Sequence, residues 1–181
     1  MPLSDEILRQ GLSRFMVPDS AAFLKEIDGE VGRFPRGGED LGEFWSKATI
    51  AYTTTLSPPP VNNLTWLGGL AVMQKPLSVG LRPASLPDPT GQVFETVFNT
   101  AFSIYGKALG ALILASSPGV YSAFTPPVTL VGTGIKLQAL PLGMSGASHK
   151  EVMEKIAEVV SAWFKTGTVT LTGTTTPIRW S

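Results

Sequence analysis

Apolar side chains recur at helical spacing in several stretches of the chain, with polar or proline-rich segments between them. Ile7, Leu8, Leu12, Phe15 and Met16 fall three and four residues apart, after a capping Ser4 and before Pro18, which predicts a first helix. A short second helix, Ala21 to Ile27, follows a cap at Asp19 or Ser20 and sets Phe23, Leu24 and Ile27 on one side. Leu41, Phe44, Trp45, Ala48 and Tyr52 form the stripe of a third, from about Asp40 to Tyr52. The strongest middle signal runs from Gln92 to Leu114. There Phe94, Val97, Phe98, Ala101, Phe102, Tyr105, Leu109, Leu112 and Ile113 describe a long, nearly buried helix. The last helix is the clearest. Ser148 and Glu151 make a capping box, Val152, Met153, Ile156, Val159, Val160, Trp163 and Phe164 give a continuous apolar face, and Gly167 stands where a helix would stop.

The intervening segments break these periods. Asp28-Gly29 and Pro35 to Gly38 read as turns. Thr53 to Val61 holds three consecutive prolines, which fix an extended backbone and predict an exposed or partner-bound arm. Asn62 to Pro76 is apolar and interrupted by Gly68-Gly69, so its period does not separate strand from helix. Ser78 to Pro89 reads as a loop, as does the region of Pro118, Pro126 and Pro127 that contains Tyr121 and Phe124. Val128 to Leu140 has β propensity and a turn at Gly132 to Gly134. Gly106, Ala108, Gly110 and Ala111 would let a neighbouring helix approach the long helix closely. In Thr168 to Ser181, Val169 and Leu171 alternate with threonines, as in a strand suited to extend another sheet, with Trp180 as an anchor for a neighbour's pocket. The expected fold is α+β and predominantly helical: a helical core, a small β-hairpin region and an extended C-terminal strand or arm. Residues 1–167 form one domain and 168–181 the arm. An aromatic helix followed by a proline bracket occurs twice, at Phe44 to Val61 and at Phe98 to Val128, too few copies for a repeat fold.

Charge placement sharpens the picture. From Phe44 to His149, 106 residues, only Lys47, Lys75, Arg82, Asp88, Glu95, Lys107 and Lys136 are charged, whereas the first 43 residues hold nine of the fourteen carboxylates. A free domain usually keeps about a quarter of its residues charged, so the middle reads as surface that other protein covers. The net charge is zero, which gives no support to phosphate-neutralising nucleic-acid binding. Cysteine is absent, removing disulfides and thiolate chemistry, and a single histidine cannot build an imidazole-rich metal site. The apolar run Ala108 to Ser116 is about half a bilayer-spanning length and is stopped by Pro118, so no membrane span is expected. Asp5 and Glu6 follow Met1 to Ser4 where a signal peptide would need a basic start, so synthesis is expected in the cytoplasm.

Candidate chemistry is sparse. Glu39, Asp40 and Glu43, or Glu26, Asp28 and Glu30, could serve acid–base or hard-metal chemistry, but they alternate with Lys25, Arg33 and Arg36 as solvated helix faces do. His149 beside Ser148 lacks an orienting partner, and Gly143 to Gly146 lacks the spacing of a nucleophile elbow. Arg36 to Gly38 and Gly132 to Gly134 do not continue into a phosphate-binding pattern. Trp45, Trp66, Trp163 and Phe164 could stack sugars or bases, though core or interface packing suits their spacing better. No catalytic, cofactor or metal residues are assigned, and no enzyme activity is expected.

The order of features in the last third resembles small virion proteins of tailed bacteriophages. It consists of the Phe124 to Pro127 bracket, a Gly/Ser-rich turn at Gly143 to Ser148, the helix ending in Ala162 to Thr168, and a Thr/Gly tail closing on Trp180. The resemblance implies a non-enzymatic structural subunit of the capsid, neck, tail or baseplate, made in the host cytoplasm and resident in the virion. It further implies a homo-oligomer that also contacts other virion proteins, through apolar interfaces and an exchanged C-terminal arm. Trp163, Phe164, Val169, Leu171, Ile178 and Trp180 are the expected interface residues. The competing readings are a soluble protein whose apolar middle lines a ligand pocket, a membrane-active protein and, last, an enzyme. The final helix balances Glu151, Glu154 and Glu158 against Lys150, Lys155 and Lys165, unlike a basic lipid-binding face.

Overall fold

The computed structural model describes residues 4–9, 38–82, 92–127 and 149–181. The helices are α1 (Gly38–Thr53), α2 (Asn63–Leu81), α3 (Gln92–Ser116) and α4 (His149–Phe164). The strands are β1 (Tyr121–Thr125), β2 (Thr168–Leu171) and β3 (Pro177–Arg179), and residues 5–9 form a further helical stretch. The fold is α+β and predominantly helical, with one small antiparallel sheet in the order β1-β2-β3. The expected first helix is described only over its opening turns. The second helix and the Val128 to Leu140 hairpin lie outside the described residues.

α1 packs on α2, and α2 on α3. Gly69 lies against Leu112 and Gly80 against Ala101, so α2 and α3 run antiparallel. The centre of the molecule is aromatic. Trp45 of α1 meets Phe98 edge-on at 5.0 Å, Phe98 stacks on Phe102 at 5.6 Å, and Phe102 meets Trp163 of α4 at 5.4 Å. Tyr52 meets Phe164 at 5.3 Å. All six rings are buried. Offset and edge-on pairs of this kind add about 0.5–1.5 kcal/mol each beyond the area they bury.

Asn62 to Leu81 resolves the ambiguity left by the sequence in favour of helix. The Asn62 side chain caps it by accepting from the Thr65 N–H at 3.1 Å, and the helix runs through Gly68, Gly69 and Pro76. Proline has no N–H to donate to the carbonyl four residues earlier. That carbonyl belongs to Val72, whose residue is exposed, so water can satisfy it. The expected loop from Ser78 is therefore helical as far as Leu81.

Two further expectations are corrected. The segment containing Tyr121 and Phe124 is β1, paired antiparallel with β2 so that Phe124 stands opposite Val169. The small residues of α3 do not all receive a helix. Gly106 accepts the indole of Trp163 and the ring of Pro127, Gly110 accepts the ring of Phe124 from the sheet, and Ala108 and Ala111 are exposed. α4 ends at Phe164, just before Gly167 as expected, although that glycine is not left-handed. Trp180 lies so close to it that any β-carbon there would collide with the indole.

Thr53 to Val61 is non-helical after Thr53 but is no free arm. Leu56 is buried, and Ser57 and Ser181 exchange backbone hydrogen bonds of 2.7 and 2.9 Å. The segment then reaches the end of α3, where the Asn62 N–H donates to the Ser116 carbonyl at 2.8 Å.

Candidate assembly surface

The tail residues singled out in the sequence are brought together, but on their own chain. β2 leaves α4 after Gly167, pairs with β1, and turns back through Gly173 into β3, with the Thr174 N–H donating to Leu171. Trp163, Phe164, Val169 and Trp180 are buried, Ile178 is half-buried and Leu171 is exposed. The Trp180 N–H donates to the Gly167 carbonyl at 2.9 Å, so the indole and the backbone lock the same junction. In this chain the segment docks on its own core. Val169 and Trp180 are the tail residues that reach the core.

Among the described residues most of the large apolar side chains left exposed lie on or just before α2, with Ile104 of α3 and Leu171 of β2 also exposed. Trp66, Leu70, Leu77 and Leu81 face inward. On the opposite side Leu64 is 87% exposed, Val72 75%, Val79 49% and Leu67 45%, and Val61, just before the helix, is 68% exposed. At 100° per residue Leu64, Leu67, Gly68, Ala71, Val72, Lys75 and Val79 fall on one face, all of them exposed, with Lys75 their only charge. A β-carbon at Gly68 would have no neighbour within 4 Å, so the face is also open at its middle. Single exposed apolar residues are ordinary, whereas a contiguous stripe of them marks a binding surface. The charge-poor composition of the middle pointed to such a surface. Its location could not be read without knowing that Asn62 to Leu81 is helical.

Several polar groups tie the elements around this core together. Tyr52 Oη donates to Ser161 Oγ at 2.9 Å, and Ser161 Oγ donates to Asp5 Oδ1 at 2.6 Å. Lys165 Nζ donates to both oxygens of Asp5, at 3.1 and 3.0 Å. Burial pushes the Asp5 carboxyl up, but the bond from Ser161 and the bond and charge of Lys165 outweigh it, leaving the pKa below the usual carboxylate value. Burial raises the phenols of Tyr52 and Tyr105 well above their usual pKa, and Tyr105 shares a 2.9 Å hydrogen bond with Thr53. Lys47 pairs with Glu43 at 2.7 Å and holds its carboxyl below the usual value.

No group of three or more metal-ligating side chains occurs among the described residues. Glu39 and Asp40 lie in the first turn of α1, and His149 opens α4. Glu26, Asp28, Glu30, Gly132 to Gly134 and Gly143 to Ser148 lie outside the described residues. Trp45, Trp66, Trp163 and Phe164 are all closed to solvent and offer no stacking platform. By length and composition Glu95–Ser116 could cross a bilayer, and half of that window is buried within the fold. The run Ala108 to Ser116 is thus one end of a longer apolar helix whose inner side carries Phe98, Phe102, Tyr105, Leu109 and Ile113.

Comparison of the chain with protein-family models, curated proteins and solved structures finds no match.

Proposed function

We propose that this chain is a non-enzymatic structural subunit that assembles with further copies through the outer face of α2. The observation that carries the reading is that face: Leu64, Leu67, Val72 and Val79 exposed in one stripe around the lone charge of Lys75. An apolar face of this kind in water favours association, because burying apolar area stabilises by roughly 25 cal/mol per Å², and obligate interfaces resemble a core cut in half. The resemblance of the last third to small virion proteins makes a tailed-bacteriophage virion the assembly we favour, with other virion proteins as further neighbours.

The test is the solution mass of the full-length protein beside a Leu64→Glu/Val72→Glu variant, measured by sedimentation velocity. The expected outcome is an oligomer for the wild type and a monomer of unchanged helicity for the variant. A wild-type protein that stays monomeric, or a variant that assembles as well as the wild type, overturns the reading.

A further inference from the structure

α2 and α3 lie side by side as a layer over one side of the aromatic core. Gly69 meets Leu112 and Gly80 meets Ala101, equally far along each helix in opposite senses, so the pair stays level over this length. Measured at 100° per residue from these contacts, Trp66 and Leu70 of α2 and Phe102 and Leu109 of α3 turn to one side, into the core. Val72 and Val79 of α2 and Ile104, Ala108, Ala111 and Ala115 of α3 turn to the other side, and all of them are exposed, Ile104 by 62%. The stripe on α2 is therefore half of a two-helix surface. From Leu64 to Val79 and from Thr100 to Ala115 the only charges are Lys75 and Lys107. Both lie toward the long outer edges of the layer, roughly 120–140° from the seam, where an ammonium group reaches water.

The area decides how much of this surface a stable contact needs. α2 has 19 residues. At 1.5 Å per residue and a helix diameter of about 10 Å, its outer side alone spans roughly 280 Å², and the two-helix layer roughly 560 Å² per copy. Two copies meeting through α2 alone would bury about 560 Å², below the roughly 1,000 Å² that a specific interface needs, whereas two full layers reach about 1,100 Å².

We propose that this layer packs face to face on that of a second copy, about a two-fold axis parallel to the helices, so that α2 of each copy lies on α3 of the other. The inference rests on the assembly reading above and adds the surface that receives α2. The two stripes differ in size as such a contact requires. Val72 and Val79 rise from α2, whereas α3 presents Ala108, Ala111 and Ala115 beside Ile104, and large against small lets facing layers interdigitate. An axis in this direction preserves the levels along the helices, which sets Val72 of one copy near Ala108 of the other and Val79 near Ile104. Each helix then has antiparallel neighbours, as in a four-helix bundle. A bilayer is the poorer occupant, because only one side of each helix is free, and half of the apolar window of α3 is buried in its own fold.

The chain has no cysteine, so single cysteines report the geometry directly. Full-length Val72→Cys and Ala108→Cys chains are unfolded together in urea, refolded as a mixture and oxidised, and the disulfide-linked dimers are weighed by mass spectrometry. At least tenfold more of the mixed dimer than of either like dimer is expected. A statistical mixture, a predominance of like dimers, or no disulfide at all overturns the inference.

Sedimentation velocity of Ile104→Glu/Ala108→Glu, beside Leu64→Glu/Val72→Glu, separates this inference from the reading it rests on. Loss of assembly in both variants at unchanged helicity is the expected result. If only the α2 variant loses assembly, α2 meets a surface other than α3, and the inference falls while the assembly reading stands. A wild-type protein that stays monomeric, whether or not it floats with phosphatidylcholine vesicles, or an α2 variant that assembles as well as the wild type, overturns both.

Discussion

α2 and α4 are helices of similar length, 19 and 16 residues, that dispose their apolar side chains in opposite ways. The described part of α4 turns Ile156, Val159, Val160, Trp163 and Phe164 into the core and leaves Glu158 outside. α2 has four large residues inside and four outside. The difference teaches that apolar content says little about what a helix does until its positions are assigned to faces. One stripe completes a core, while two stripes complete a core and leave a second surface unfilled.

Substitutions in α4 are expected to destabilise the fold most. Phe164→Ala removes a ring that touches Tyr52, Phe102, Tyr105 and Trp163. It is expected to cost about 3–5 kcal/mol in urea unfolding. Val72→Ala on the outer face of α2, measured in the Leu64→Glu background, is expected to stay within about 0.5 kcal/mol.

Glycines sharpen the contrast at a smaller scale. Gly110→Ala drives a methyl into the Phe124 ring and is expected to cost about 1–3 kcal/mol by thermal melting. Gly68→Ala meets open space and is expected to stabilise the same background by about 0.5–1 kcal/mol through helix propensity.

A small, pH-dependent effect is expected at Asp5. Its folded pKa lies below the unfolded value, so its stabilisation is present above about pH 4 and is lost as the pH falls through the folded pKa. The pair with Lys165 is partly exposed and solvent-screened, so the change is expected to be about 0.2–1 kcal/mol. Comparing wild type with Asp5→Asn in urea at pH 7 and pH 3 checks it, the difference between them shrinking at pH 3.

The sequence showed its regular helices plainly. The stripes of α1, α3 and α4 are legible because one face of each repeats at 3.6 residues, and Phe98, Phe102 and Trp163 sit where those stripes put them. α2 was not legible for the reason that makes it interesting: residues apolar on both faces leave no period, and Gly68, Gly69 and Pro76 disguise a helix whose solvent side tolerates them. β1 was hidden by flanking prolines that end the strand without excluding it. The tail read as an arm because alternation reveals a strand but not its neighbour. Gly167, placed as a cap by position, is explained only by Trp180 arriving from thirteen residues later. The uncovered surface was legible as a scarcity of charge, without an address.

The hydrogen bond from Tyr52 to Ser161 spans 109 positions, and that from Ser161 to Asp5 spans 156. Contacts so distant along the chain carry a large loop-closure entropy and slow the search for the native topology. The antiparallel hairpin of α2 and α3 needs only local closure and can form while those ties are still open. The nascent chain would then display the exposed apolar face of α2 before its aromatic centre has closed. Timing, as much as affinity, would decide whether that helix meets a sister copy or an aggregate.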